Sequence, residues 1–162
     1  MTTSVGIDPG ASGAICVLNG YSDDPVELFK LSDATQVDIL TFLEDNVGFP
    51  ASTNKSFAIL ERVSAGGSRT GGKVGMGAQS AFKFGASFGE LRMALVACRI
   101  PFELETPGLW QRQMKCLSKG DKNVTKARAQ ELFPDVAVFH WNADALLLAE
   151  YARRRVVELG RC

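Results

Sequence analysis

Residues 4–18 read SVGIDPGASGAICVL. Two apolar runs, Ser4–Ile7 and Gly13–Leu18, flank Asp8-Pro9-Gly10-Ala11-Ser12, a segment of turn-forming residues. The pattern predicts two strands joined by a tight turn, with a carboxylate where the first strand ends. A third strand is expected over Val26–Leu31, after a turn at Asp23-Asp24-Pro25. Ser56–Leu60 is a short apolar run ending at Glu61, as expected of a central strand buried on both faces. Phe102–Leu104 reads as one more strand.

Helical periodicity fills the intervals. Thr35–Asn46 carries Val37, Leu40 and Leu43 at helical spacing, with Gly48 and Pro50 just beyond. Ala78–Cys98 reads as one long helix on which Phe82, Gly85, Phe88, Met93 and Val96 recur at three- and four-residue steps. Phe82, Phe84 and Phe88 are expected in the core, and any of them left exposed is a candidate for stacking on a base. Pro107 starts a helix to about Lys115, Asn123 or Thr125 caps a helix to about Phe133, and Asp144–Leu159 offers Leu147, Leu148, Tyr151, Val156 and Leu159 for burial. A strand triplet followed by alternating elements predicts an α/β fold with a mixed sheet.

The length of 162 residues fits one domain, residues 1–162, and 46% hydrophobic residues suffice for its core. No apolar run approaches the roughly 18 residues a membrane helix needs, so no membrane partner is expected. Cys16, Cys98, Cys116 and Cys162 show no CxxC spacing, and with one histidine a structural zinc site is not supported. Reduced thiols and no visible signal peptide suggest a cytosolic setting.

The net charge of zero conceals a segregation. Residues 1–61 hold 2 Lys/Arg and 9 Asp/Glu, residues 62–128 hold 12 and 4, and residues 129–162 hold 4 and 5. The basic middle third is the footprint of a polyanion partner. The carboxylates outside it are free to serve another purpose. Asp8, Glu61 and Asp144 each stand at the mouth of a buried apolar element, where an unpaired charge is costly. Converged on one sheet edge, they would suit Mg²⁺ or Mn²⁺. Residues 64–77 carry six glycines with Arg69 and Lys73, a basic loop expected to be mobile and to order on the polyanion. It holds no GxxxxGK[ST] pattern, so no nucleotide cofactor is expected.

The segment VGIDPGASGAICVL resembles the opening of RuvC-type Holliday junction resolvases, and AILERV is similar to that family's second acidic strand. QSAFKFGASFGELRMAL resembles the long helix of phage-type members. ETPGLWQRQM, SKGDKNVTKARAQELFP and NADALLLAEYARR are similar to the later blocks, in the same order. The resemblance implies an RNase H-like fold with helices on both faces of the sheet. It implies a homodimeric endonuclease that resolves four-way DNA junctions by paired nicks, using two Mg²⁺ or Mn²⁺ ions per site. Asp8, Glu61 and Asp144 match three of its four metal-binding positions. The fourth, usually an acid and sometimes a histidine three or four residues before the last aspartate, falls in His140-Trp141-Asn142-Ala143-Asp144. His140 would share a face with Asp144 if this stretch is helical, and Asn142 is the other candidate. Lys119 and Lys122, with Lys126, match a region whose basic residues meet the scissile phosphate. The expected DNA contacts are Arg62, Arg69, Lys73, Lys83, Lys115, Lys119, Lys122 and Lys126, and helix 78–98 is the expected dimer surface.

Two other readings stand beside this one. One is another RNase H-like nuclease, acting on RNA–DNA hybrids or branched replication DNA. The other is a junction-binding protein without catalysis, motivated by the unusual fourth position.

Overall fold

The computed structural model describes residues 2–20, 25–49, 51, 56–63 and 77–160. The elements run β1 (Thr3–Asp8), β2 (Ala14–Asn19), β3 (Val26–Lys30), α1 (Gln36–Val47), β4 (Ser56–Glu61), α2 (Ala78–Ala97), β5 (Phe102–Glu105), α3 (Pro107–Gln113), α4 (Lys122–Leu132) and α5 (Ala143–Glu158). The five strands form one sheet in the order β3-β2-β1-β4-β5. The first three are antiparallel neighbours, and β1–β4 and β4–β5 are parallel, so the sheet is mixed as expected.

Side chains alternate between the faces of a strand, and here the alternation sorts the core into two. Val5, Ile7, Ile15, Val17, Ala58 and Leu60 face α1 and α2, where Ile39, Leu43, Leu91 and Leu95 are buried. Ala14, Cys16, Leu18, Phe57 and Ile59 face α5, with Trp110 and Met114 joining from α3 and its end. Helices therefore cover both faces. Leu146, Leu147 and Leu148 have no exposure. At about 1.5–3 kcal/mol for each buried leucine, this run alone fixes α5 firmly.

The seat of α5 on β1 is unusually close. A Cβ on Gly6 would stand 2.1 Å from Ala149 N and 2.3 Å from Ala145 O. Only a glycine permits that approach, and the neighbouring Ser4 on the same face is also small and buried.

Several elements differ from expectation. The stripe Phe82, Met93 and Val96 on α2 points outward, at 79%, 61% and 55% exposure, while Leu91, Ala94, Leu95 and Cys98 are buried. This helix is apolar on two sides, and periodicity alone does not say which side meets the sheet. Phe84 and Phe88 are half-buried, and Phe88 packs against the α1/α2 side of the core. Leu159 is also 41% exposed, beyond the end of α5. Asp121, rather than Asn123 or Thr125, caps α4, accepting from Asn123 N at 2.9 Å. Helix α3 ends at Gln113, because Lys115 turns to a positive φ of 58°. Cys16, Cys98 and Cys116 are free and buried. Among the described residues, no helix is long and apolar enough to cross a membrane. The expected turn at Asp23-Asp24 and the glycine-rich loop with Arg69 and Lys73 lie outside the described residues.

Candidate active site

One row of residues crosses the sheet at the C-terminal ends of the parallel strands. Asp8 pairs with Ala14, and Ala14 with Lys30. On the other side Ile7 pairs with Leu60, which sets Glu61 level with Asp8, and Glu61 pairs with Glu105. By the alternation above, the row faces α5. The helix in turn presents Asp144 from its first turn, where its positive dipole end favours a carboxylate.

Each carboxylate is placed by its local chain. The turn after Asp8 folds back so that Gly10 N donates to Asp8 Oδ1 at 3.3 Å and Gly13 N to Gly10 O at 2.8 Å. Gly13 is needed, since a Cβ there would lie 2.1 Å from Asp8 O. Glu61 is aimed by Trp110, whose indole Nε1 donates to Oε2 at 2.8 Å. Asp144 Oδ1 is buried and has no hydrogen-bond partner among the described residues.

The three acids share one electrostatic environment. Burial raises the Asp8 carboxyl above its ordinary range, and the charge of Asp144 adds to this. The Gly10 N–H and Lys122 pull the other way. Burial also pushes Glu61 up, to about 7, helped by Asp8 and Asp144 and opposed by Trp110 and Lys122. Acids that resist ionisation because they are buried, and further because they crowd one another, mark a place where a cation would be welcome. The buried, unpartnered Asp144 oxygen supports the same conclusion. The donor set is all oxygen, which fits a hard divalent ion. Among the described residues, no group of three or more His, Cys, Asp or Glu side chains stands close enough together to hold a metal ion as it is.

Among the described residues, Lys122 is the one cation that acts on both Asp8 and Glu61. It is the first residue of α4, where a positive charge opposes the helix dipole at a cost of about 0.3–1 kcal/mol. Its place opposite the carboxylates explains why it is there. Lys119 precedes it in the turn Ser118-Lys119-Gly120-Asp121, closed by Asp121 N donating to Ser118 O at 2.9 Å. Lys119 and Gly120 have φ of 49° and 96°, as in a type I′ turn. Gln111 Oε1 ties this turn to α3 by accepting from Ser118 N at 3.1 Å. Glu61, Asp144, Lys119, Lys122, Gln111 and Thr125 line a cleft of about 390 Å³.

The remaining expected residues are dispersed. His140 precedes α5 instead of lying on it, so the helical face it was expected to share with Asp144 does not exist. It is exposed, with Nε2 3.1 Å from Asn123 Oδ1. Asn142 is buried and fully engaged: its Oδ1 accepts from Phe139 N at 2.7 Å, and its Nδ2 donates to Ala137 O at 3.0 Å. Of the two, only His140 is left available. Arg62, Lys83 and Lys115 are exposed, and Lys126 is half-buried; none of them lines the cleft. Sequence reasoning missed Trp110 and Gln111. The only signal for either was an indole in a short helix whose last residues are polar.

No protein-family model matches the chain, and no curated protein does. Solved structures do match. RuvC of Thermus thermophilus aligns over 99% of this chain and 98% of its own, at 15% identity and a TM-score of 0.62. T. thermophilus RuvC in complex with a Holliday junction substrate aligns over the same shares, at 14% identity and a TM-score of 0.64. At this identity the likeness establishes the fold, which is the RNase H-like α/β architecture.

Proposed function

We propose that this chain is a metal-dependent endonuclease that resolves four-way DNA junctions by paired nicks. The observation that carries the proposal is the gathering of Asp8, Glu61 and Asp144, with raised carboxyls at Asp8 and Glu61 and an unpartnered oxygen on Asp144, beside Lys122. The fold shared with a protein solved on a Holliday junction supports the choice of substrate. So does the basic middle third of the chain.

Asp8, Glu61 and Asp144 would hold two divalent cations, Mg²⁺ or Mn²⁺, with the exposed His140 as the candidate for a further ligand. Bound there, such ions supply an activated water and stabilise the leaving oxygen of a phosphodiester. Lys122 and Lys119 place positive charge across the cleft, where it offsets charge developing on the scissile phosphate. Trp110 holds Glu61 at one rotamer. The Ser118–Asp121 turn, pinned by Gln111, keeps Lys119 at the cleft rim. Arg62, Lys83, Lys115 and Lys126, together with Arg69 and Lys73, would meet backbone phosphates further out.

A pair of nicks needs two sites. A second copy docking on α2 would supply the other. Met93 and Val96 with Val37 of α1 are exposed there, beside a groove of about 150 Å³ lined by Ile39, Leu40 and Ala94.

The test compares cleavage of a mobile four-way junction, an RNA–DNA hybrid and a linear duplex in Mg²⁺ and in Mn²⁺. Symmetrical nicks in the junction alone are expected. Preference for the hybrid would replace the junction reading, and tight junction binding without nicking in either metal would remove the catalytic one.

A further inference from the structure

We propose that Phe139 and Trp141, with Lys30, form a stacking platform for an unpaired base of the DNA strand held at the carboxylates. The proposal rests on the nuclease reading of that site. The two rings lie almost parallel, 8° apart with centroids separated by 6.4 Å. Trp141 is anchored against the α5 side of the core, and Lys30 Nζ lies 5.9 Å from its ring centroid. Phe139 is 52% exposed, so the stack ends in an aromatic surface open to solvent.

The platform is held in place before any ligand arrives. Asn142 clamps the loop through both of its side-chain groups, to Phe139 N and Ala137 O. A loop already fixed gives up little entropy on binding. Its location is equally informative. Lys30 stands in the same cross-sheet row as Asp8, with only Ala14 between them. Two strand spacings are about 10 Å. Trp141 is three residues before Asp144, and His140, between Phe139 and Trp141 in sequence, reaches Asn123, the neighbour of Lys122. A strand whose phosphate sits at the carboxylates therefore passes this loop.

The chemistry selects the occupant. An aromatic face beside an ammonium suits a ligand that is both a π-surface and an anion, which describes a nucleotide. A base inside a duplex has both faces covered by its neighbours. An unpaired base at a branch has one to offer.

The test is a binding measurement on the whole chain in EDTA, which makes it independent of cleavage. The probes are a forked DNA with single-stranded arms and a fully paired duplex of equal length. Phe139→Ala is expected to weaken fork binding by about 5- to 100-fold and duplex binding by less than about twofold. Phe139→Trp is expected to preserve fork binding, and Phe139→Leu, apolar but without a ring, to lose it. Fork binding should also quench tryptophan emission, and Trp141→Phe should remove the quenching, since Trp110 is buried. Equal losses on both DNAs, no loss with Phe139→Ala, or full binding with Phe139→Leu would each overturn the platform. Fork preference that survives in a chain that never cleaves would leave the platform standing and defeat the nuclease reading alone.

Discussion

Trp110 donates its indole N–H to Glu61 Oε2 across 2.8 Å from a side chain with no exposed surface. The bond holds the Glu61 carboxyl down against burial and the charge of Asp8. Trp110→Phe keeps most of the apolar bulk and deletes the donor. It should cost about 1.5–3 kcal/mol of stability, the range for a hydrogen bond to a charged group. It should also weaken Mn²⁺ binding or cleavage by roughly 10- to 100-fold, as loss of a supporting partner does. Denaturant unfolding and a calorimetric Mn²⁺ titration check both. Unchanged Mn²⁺ affinity would reduce Trp110 to a packing residue.

The carboxylates themselves should be less forgiving. Asp8→Asn, Glu61→Gln and Asp144→Asn are each expected to reduce junction cleavage by more than the roughly 100-fold that loss of a supporting partner costs. Junction binding, resting on phosphate contacts elsewhere, should persist and fall steeply with salt. A gel-shift and a nicking assay on the same samples separate the two. Full activity in any one variant would strike that residue from the site.

The raised carboxyls make a prediction about stability and pH. Glu61 ionises at about 7 in the folded chain against an ordinary 4.5, and Asp8 is shifted in the same direction. Between those values the folded chain holds a proton that the unfolded chain has released. Stability is therefore full below about 4.5 and declines as pH rises through about 7. In metal-free buffer the melting temperature should fall over this window, and Glu61→Gln should flatten the fall. Added Mg²⁺ or Mn²⁺ should restore stability at pH 7.5. A melting temperature that climbs from pH 5 to 7.5 without metal would contradict the assignment.

Gly6→Ala tests the seat of α5. The added Cβ would lie 2.1 Å from Ala149 N, a backbone atom with nowhere to go. Overpacking of this kind costs about 1–3 kcal/mol or more. Because α5 carries Asp144, the displaced helix should also lose cleavage and cation affinity together. A variant as stable as the parent would mean that β1 and α5 are less tightly joined than the structure has them.

Some of this was legible from the chain and some was not. Asp8 and Glu61 stood out because each ends a run too apolar to lie at a surface. Asp144 did so because three leucines follow it. Local signals marked the three positions, since a strand end or a helix start is defined by its immediate neighbours, and the family resemblance joined them into a set. His140 depended on a helix extending back past Ala143, and there Asn142 folds the preceding loop onto itself instead. On α2 two apolar stripes competed, and only packing against the sheet selected Leu91, Ala94 and Leu95 over Met93 and Val96. The Trp110–Glu61 bond spans 49 positions, and no periodicity encodes it.

Helix α5 is sunk among its neighbours along most of its length. Shifting it would expose a run of leucines to water, so the packing of α5 fixes where Asp144 stands. Of the groups around the cleft, those on the exposed turn that bears Lys119 stand apart from this packing.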